Sequence, residues 1–124
     1  MNPKILVADD EPNIVISLEY LLKREGYNVV IARDGQEAVE TIVREQPDLV
    51  LLDVMMPKKT GFEVCQEVRG LEAVQATKIL MLTAKGRDTD VAKGLALGAD
   101  AYMTKPFATK ELVQKVAEML GRPA

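Results

Sequence analysis

Short, unbroken apolar runs alternate along the chain with segments in which apolar residues recur every three or four positions. Five such runs, at 5–8, 29–32, 49–52, 79–82 and 101–103, are the candidate strands. A continuous apolar run of this length is typical of a strand buried on both faces of a parallel sheet. The central run at 49–52 ends abruptly on Asp53, so a carboxylate directly follows a buried strand.

The segments between the runs have the spacing of amphipathic helices, and several begin with capping residues. Pro12 suits the first turn of the first helix, which Asp10 is predicted to cap. Capping boxes are predicted for the second and third helices, where Asp34 is followed by Glu37 and Thr60 by Glu63. The pattern thus predicts a helix after each of the five strands.

Alternating strands and helices predict an α/β fold with a doubly wound parallel sheet. Right-handed crossovers put helices on both faces of such a sheet. We predict the strand order 2-1-3-4-5 of flavodoxin-like proteins, in which the first and third strands are neighbours. The length indicates a single domain over 1–124, with 121–124 as a tail or the start of a linker.

The charge and hydropathy patterns exclude some partners. The net charge of −3 provides no basic surface, so we expect no direct nucleic-acid binding by this domain. No apolar run approaches the roughly 20 residues of a membrane helix. Acidic residues also come too early for a secretory signal. We therefore predict no membrane association.

Histidine is absent, and Cys65 is the single cysteine. Without imidazole the chain cannot build Ser-His-Asp or Cys-His machinery or a histidine metal site. A lone cysteine excludes an intrachain disulfide and favours a reducing compartment, which predicts a cytoplasmic location. The chemistry must therefore come from carboxylates, hydroxyls, lysine and the backbone.

Polar residues lie at the carboxyl ends of four of the five predicted strands. The carboxyl ends of parallel strands share one edge of the sheet, where open α/β sheets place their ligands. The predicted order therefore brings together in one crevice the residues at these ends: Asp9, Asp10, Asp53, Thr83 and Lys105.

This set of side chains suits phosphoryl chemistry. Three carboxylates repel one another, and a divalent cation with oxygen ligands, such as Mg²⁺, would relieve that repulsion. Lys105 provides a charge and Thr83 a hydroxyl for the oxygens of a phosphoryl group. Asp53 is then a suitable nucleophile for forming an aspartyl phosphate.

Four motifs, VADDEP, LLDVMMPKKTG, MLTAK and GADAYMTKPF, resemble those of response-regulator receiver domains, the CheY-like phosphoacceptors of two-component signalling. The resemblance covers essentially the whole chain. It implies that Asp53 accepts the phosphoryl group. It further implies a Mg²⁺ site formed by Asp9, Asp10, Asp53 and the backbone carbonyl of Met55. Such a domain assists its own phosphorylation and dephosphorylation but is not an enzyme acting on a separate substrate.

The resemblance also implies how the domain switches. Thr83 is the switch hydroxyl, Lys105 contacts the phosphate, and Tyr102 is the aromatic residue that changes rotamer. The Lys105–Pro106 bond is a candidate cis peptide, because this bond is commonly cis in the family. Met55 and Lys85 lie where the family tunes the lifetime of the phosphorylated state.

The implied partners are a histidine kinase or phosphotransfer protein and a downstream protein that binds the face of the fourth helix, fifth strand and fifth helix. Receivers joined to winged-helix DNA-binding domains usually carry a second acid after GAD and an arginine in the last helix. Here Ala101 follows GAD and Lys115 is in the last helix. We therefore expect a mostly monomeric domain whose face around Tyr102 and Lys93 binds another protein. The chain is either a stand-alone regulator or a fragment of a larger regulator or hybrid kinase.

Three other readings fit the sequence less well. A haloacid-dehalogenase-like phosphatase needs a second acid two residues after its nucleophile, where Met55 stands. A flavodoxin-like FMN-binding protein needs a phosphate-binding loop after the first strand, where this chain has acids. A receiver kept only as a structural or interaction module would normally have lost one of the polar site residues, and none is lost here.

Overall fold

The computed structural model describes residues 2–84 and 86–122, which contain a single five-stranded parallel sheet. Its strands are β1 (Lys4–Ala8), β2 (Asn28–Ala32), β3 (Leu49–Asp53), β4 (Lys78–Ala84) and β5 (Ala101–Lys105). They lie in the order β2-β1-β3-β4-β5, which confirms the predicted topology.

The strands β4 and β5 run further than their apolar runs. Their ladder continues through the pairs of Thr83 with Thr104 and Ala84 with Lys105. The polar residues predicted to follow these strands therefore belong to the sheet itself. Hydrogen bonding to the neighbouring strand, which hydrophobicity does not report, extends each strand to its polar end.

The five helices are α1 (Pro12–Arg24), α2 (Gly35–Glu45), α3 (Gly61–Arg69), α4 (Asp88–Ala96) and α5 (Thr109–Met119). Helices α1 and α5 pack on one face of the sheet, and α2 and α3 pack on the other. Alternate residues of β1, β3 and β4 contribute to the two cores, because successive side chains of a strand point to opposite faces. All five residues of β3 are buried.

The helix starts follow the predictions in part. Thr60 and Glu63 form the predicted capping box, with hydrogen bonds of 3.2 and 2.9 Å between each side chain and the other backbone N–H. Asp34 caps α2 by accepting from the N–H of Glu37, whose own carboxylate accepts from Arg33 instead of closing the box.

The predicted cap by Asp10 is wrong. The N-cap of α1 is Glu11, without a side-chain cap hydrogen bond. The N–H of Glu11 instead donates to Oδ1 of Asp9 at 2.9 Å, so the acid engaged at the start of α1 is the buried Asp9. The carboxylate of Asp10 is left at the exposed mouth of the strand edge.

Some predictions fall at the limits of the described chain. Lys85 lies outside the described residues, as do Pro123 and Ala124 in the predicted tail. Arg122 is described, and its guanidinium lies 4.9 Å from the centre of the Tyr27 ring. No helix within 2–84 and 86–122 combines the length and apolarity that spanning a membrane requires.

Candidate functional site

The sheet register brings the acidic residues together. Strands β1 and β3 are neighbours, and Ala8 pairs with Leu52. Asp9 therefore leaves β1 beside the point where β3 ends on Asp53. This is the position at which the strand order reverses, with β2 on one side of β1 and β3 on the other, and ligands of open α/β sheets bind there.

Asp9, Asp10 and Asp53 form a cluster in which a carboxylate oxygen of each lies within 4.8 Å of one from the others. Asp9 is fully buried and Asp53 is 6% exposed, whereas Asp10 is exposed. The cluster is thus open to solvent on one side only. Two buried carboxylates at this separation need a compensating charge, because burial penalises the ionised form.

Lys105 provides part of that charge. Its Nζ lies 2.8 Å from Oδ2 of Asp9 and 3.3 Å from Oδ1 of Asp53. Burial opposes the charged amine, but the hydrogen bond to Asp9 and the charge of Asp53 outweigh it and raise the pKa of Lys105. The lysine is therefore held as a cation between the two buried acids.

The charge on Asp53 is only partly compensated. Burial, together with the charge of Asp9, raises the pKa of Asp53 from 3.8 to about 6, although Lys105 lowers it. The carboxylate is therefore mostly ionised at neutral pH but disfavoured by its surroundings. A group that brings positive charge to this cluster would stabilise the ionised form.

Thr83 carries an unsatisfied polar atom beside this cluster. Its side chain is 2% exposed, and its Oγ1 has no hydrogen-bond partner in the described part of the chain. Asp53 pairs with Leu82 across β3 and β4, so Thr83 is the next residue on the adjoining strand. A buried hydroxyl without a partner is costly, and its position at a ligand-binding edge suggests that a ligand completes its hydrogen bonding.

Glycines hold the loop after β3 close to the sheet. The N–H of Gly61 donates to the carbonyl of Val54 at 2.8 Å, and a Cβ at Gly61 would lie 2.4 Å from the carbonyl oxygen of Asp53. The loop also accepts from α2, since the N–H of Gly35 donates to the carbonyl of Pro57. Gly61 was not singled out from the sequence, because a close backbone approach leaves no local pattern.

Sequence reasoning also missed Glu11. Its Oε1 lies 3.5 Å from Nζ of Lys105, at the outer side of the cluster. The signal was present in the run of three acids that follows β1, but spacing alone could not show which of them face the lysine.

Tyr102 lies away from the acidic cluster. Its side chain is 46% exposed and lines a groove of about 820 Å³ formed by the end of α4, the outer edge of β5 and one side of α5. The site residues predicted from sequence thus divide into an inner group at the strand edge and this aromatic residue on the outer face. The Lys105–Pro106 bond is cis, as expected.

The donor set at the strand edge fits a hard divalent cation. Its three carboxylates provide only oxygen atoms, and one of the three, that of Asp10, is exposed. Mg²⁺ prefers oxygen ligands and retains several waters. The raised pKa of Asp53 is the electrostatic observation that supports this fit, because a bound cation would offset the repulsion from Asp9.

Comparison with known proteins gives consistent matches. The family model described as "Response regulator receiver domain" matches residues 5–117. The alkaline phosphatase synthesis transcriptional regulatory protein PhoP of Bacillus subtilis (strain 168) is 51% identical over 122 residues, which are 98% of this chain and 50% of that protein. The chain therefore spans about half the length of this curated relative.

Two solved structures have the same fold over nearly their whole length. The chemotaxis response regulator CheY4 of Vibrio cholerae has a TM-score of 0.90 and 33% identity, over 96% of this chain and 99% of that one. The receiver domain of the sensor histidine kinase PA1611 from Pseudomonas aeruginosa PAO1 also has a TM-score of 0.90, with 30% identity, over 98% of this chain and 99% of that one. That structure contains a magnesium ion coordinated in its active-site cleft.

Proposed function

The chain belongs to the response regulator receiver domains of two-component signalling, and from this premise we propose that Asp53 is its phosphoacceptor. One observation carries the proposal. The carboxylate of Asp53 ends the buried central strand, lies in one cluster with Asp9 and Asp10, and is 3.3 Å from Nζ of Lys105. It is the one acid of the cluster that belongs to the all-buried strand β3.

The reaction transfers a phosphoryl group from a phosphohistidine of a partner kinase or phosphotransfer protein. A carboxylate oxygen of Asp53 attacks phosphorus, and the new O–P bond forms as the P–N bond breaks. The electron pair stays on the imidazole nitrogen, which takes a proton from solvent. Lys105 is placed to contact the phosphoryl oxygens, and the ionised state of Asp53 at neutral pH keeps it nucleophilic.

Asp9, Asp10, Asp53 and the backbone carbonyl of Met55 would hold Mg²⁺. The bound cation would supply positive charge to the phosphoryl oxygens during transfer. Asp9 is held for this role by two contacts, from the N–H of Glu11 to one carboxylate oxygen and from Lys105 to the other. Asp10 makes no comparable contact among the described residues and remains exposed.

Thr83 and Tyr102 would carry the signal outward. The unpartnered hydroxyl of Thr83 would donate to a phosphoryl oxygen on Asp53 and move towards it. Tyr102 would then move from the exposed groove towards the space that Thr83 leaves. Phosphorylation would thereby shift an existing equilibrium towards a second conformation of the face formed by α4, β5 and α5.

We further propose that the domain is mostly monomeric and that this face binds a different protein. Asp100 supports this, because its Oδ2 accepts from Arg69 and from the backbone N–H of Ile79 and so is already engaged within the chain. The 51% identity to a transcriptional regulatory protein, of which this chain spans half, favours a second candidate: a fragment of a longer regulator that acts on transcription.

Phosphodonor labelling tests the acceptor. Incubation with acetyl phosphate and Mg²⁺ should add one phosphoryl group to the parent, detected by intact-protein mass spectrometry. Asp53→Asn should remove the labelling while retaining the fold. Asp48→Asn is the matched control, because Asp48 lies at the opposite edge of the sheet and accepts from the N–H of Lys4. Undiminished labelling of Asp53→Asn would contradict the assignment.

Thermal melts test the metal site. Millimolar Mg²⁺ should raise the melting temperature of the parent, because a ligand that binds only the folded state stabilises it. Asp10→Ala should reduce that rise. Since it also removes carboxylate repulsion, it should melt at a higher temperature than the parent when both are metal-free. A parent that shows no shift at saturating Mg²⁺ would show that the site is misassigned.

Sedimentation velocity with and without beryllofluoride and Mg²⁺ tests the oligomeric state. We expect a monomer both with and without beryllofluoride and Mg²⁺. A two-fold dimer that forms only on activation, through the face of α4, β5 and α5, would contradict it and support the transcriptional parent.

A further inference from the structure

The two ends of α4 are held in different ways. At the carboxyl end the N–H of Ala99 donates to the carbonyl of Gly94 at 3.0 Å, and the N–H of Gly98 donates to that of Leu95 at 3.1 Å. Gly98 has φ +113. These features form a Schellman motif, which satisfies the last carbonyls of a helix. Ala99 then enters the core below α3.

Arg69, the last residue of α3, is bound to this carboxyl end. Its Nε donates to the carbonyl of Gly98 at 2.9 Å, and its Nη2 donates to Oδ2 of Asp100 at 2.8 Å. Its Nη1 donates to the carbonyls of Gln75 at 2.8 Å and Thr77 at 2.6 Å. The guanidinium thereby joins the segment before β4 to the turn between α4 and β5.

Neighbouring residues complete this junction. Oδ2 of Asp100 also accepts from the N–H of Ile79 at 2.8 Å, and the N–H of Asp100 donates back to the carbonyl of Ile79. The thiol of Cys65 lies 3.6 Å from the carbonyl of Leu97. Charge-assisted hydrogen bonds of a planar guanidinium are strong and directional, so this end of α4 is fixed to two other elements.

The amino end of α4 has no such support among the residues that the structure describes. Its N-cap Arg87 provides no side-chain cap, and its ion pair with Asp90 stays within the same helix turn. Asp88 and Thr89 are exposed, and Gly94 is the one buried residue within α4. The first half of the helix therefore gains little from burial or capping.

We infer that Arg69 is a positioning residue that anchors the carboxyl end of α4. The helix then moves as a lever: its carboxyl end is the fixed point, and its weakly held amino end moves together with the carboxyl end of β4. The connection is short, because the N–H of Arg87 donates to the carbonyl of Ala84, the residue after Thr83. The link to signalling rests on the proposed function. A shift of Thr83 would displace the amino end of α4, while the Arg69 junction keeps Asp100 and the start of β5 in place.

Hydrogen exchange of the unphosphorylated protein tests the anchor directly. In the parent, the amides of Ala99 and Asp100 should exchange at least about tenfold more slowly than that of Val91, after correction for intrinsic rates. Arg69→Ala should speed exchange at Ala99 and Asp100 by about tenfold and leave Val91 and the amides of β3 unchanged. Equal exchange along the whole of α4 in the parent would overturn the inference.

Matched variants separate this effect from general destabilisation. Arg44→Ala removes a different arginine ion pair, with Glu45 at 3.3 Å, but lies on α2 and should leave all α4 amides unchanged. Arg69→Lys should restore only part of the protection, because an ammonium lacks the planar fork. If Arg69→Ala does not fold, Asp100→Asn removes the charge pair and should speed exchange at Ala99 by a smaller factor. No change in Asp100→Asn would also overturn the inference.

A second measurement tests the lever on activation. With beryllofluoride and Mg²⁺, amide chemical shifts should change strongly at 86–92 and little at 97–100 in the parent, whereas in Arg69→Ala both ranges should change. Equal changes at both ends in the parent would overturn the lever. Uptake at Asp53 is followed separately by fluorine NMR. Absence of uptake would contradict the proposed function, and the anchor would then be decided by hydrogen exchange alone.

Discussion

The helices α3 and α4 contain nine residues each, and each follows a strand with a predicted site residue at or near its carboxyl end, yet they are held very differently. Helix α3 begins with a capping box and buries Gly61, Val64, Cys65 and Val68. Helix α4 buries only Gly94 and has no side-chain cap. The unit of β3 and α3, which carries Asp53, is therefore fixed. The unit of β4 and α4, which carries Thr83, is held mainly at the carboxyl end of α4.

This difference matches the roles that we propose for Asp53 and Thr83. A nucleophile needs neighbours that do not move, since small misplacements of reacting groups slow a reaction strongly. A relay needs an element that moves at low cost, and such elements have few buried contacts and exposed backbone hydrogen bonds. The predictions below test the contrast, starting with the largest expected effect.

The fixed unit should be most sensitive at Gly61. Gly61→Ala places a Cβ 2.4 Å from the carbonyl oxygen of Asp53 and 3.0 Å from Cα of Val54, both backbone atoms. We expect a loss of about 3 kcal/mol in the free energy of unfolding, because backbone must shift to relieve the overlap. Urea denaturation measures it.

Gly70→Ala is the matched control at the other end of α3. Gly70 has right-handed φ and ψ, and the nearest atom to an added Cβ would be 3.5 Å away. This variant should change the free energy of unfolding by less than about 1 kcal/mol. Equal losses in the two variants would show that the packing at Gly61 has no special importance.

The second prediction concerns the stability cost of burying Asp53, the proposed nucleophile. Burial and Asp9 raise the pKa of Asp53 from 3.8 to about 6, so the folded protein binds this proton more tightly than the unfolded chain. The free energy of unfolding of the metal-free parent should therefore fall as pH rises from about 4 to about 6. The expected fall is on the order of 2–3 kcal/mol, since one pKa unit corresponds to about 1.4 kcal/mol.

Urea denaturation over that pH range, with a chelator present, measures the fall. Asp53→Asn removes the titrating group, so its free energy of unfolding should lack this component. Asp48→Asn, at the opposite sheet edge, should retain it. A parallel pH dependence of the parent and Asp53→Asn would show that Asp53 does not titrate in this range.

The smallest expected effect compares the helix caps directly. Thr60→Ala removes a side-chain cap that accepts from the N–H of Glu63 and should cost about 1 kcal/mol of unfolding free energy. Arg87→Ala, at the equivalent position of α4, removes no cap and should cost less than about 0.5 kcal/mol. Denaturation curves of both variants decide this. A larger loss in Arg87→Ala would contradict the view that the amino end of α4 is weakly held.

Much of the fold and the inner site could be predicted from sequence, because their signals are local. The apolar run of β3 marks a strand buried on both faces, and Thr60 with Glu63 marks a helix start whatever surrounds it. The polar residues that close the strands could be assigned to one edge once a parallel sheet was predicted. Their grouping around Asp53 required only the strand order.

Other features were decided by tertiary structure. The buried carboxylate of Asp9, and not that of Asp10, accepts from the N–H of Glu11, because the chain direction after β1 determines which acid faces inward. Gly61 is required because its backbone lies close to the backbone of Asp53 and Val54. Arg69 is important because it donates to carbonyls that belong to other segments of the chain. Such contacts depend on how whole elements pack. Local residue patterns determined most of each element and the polar residues near the strand ends, whereas only packing determined that Arg69 binds the carboxyl end of α4 while the amino end has no side-chain cap.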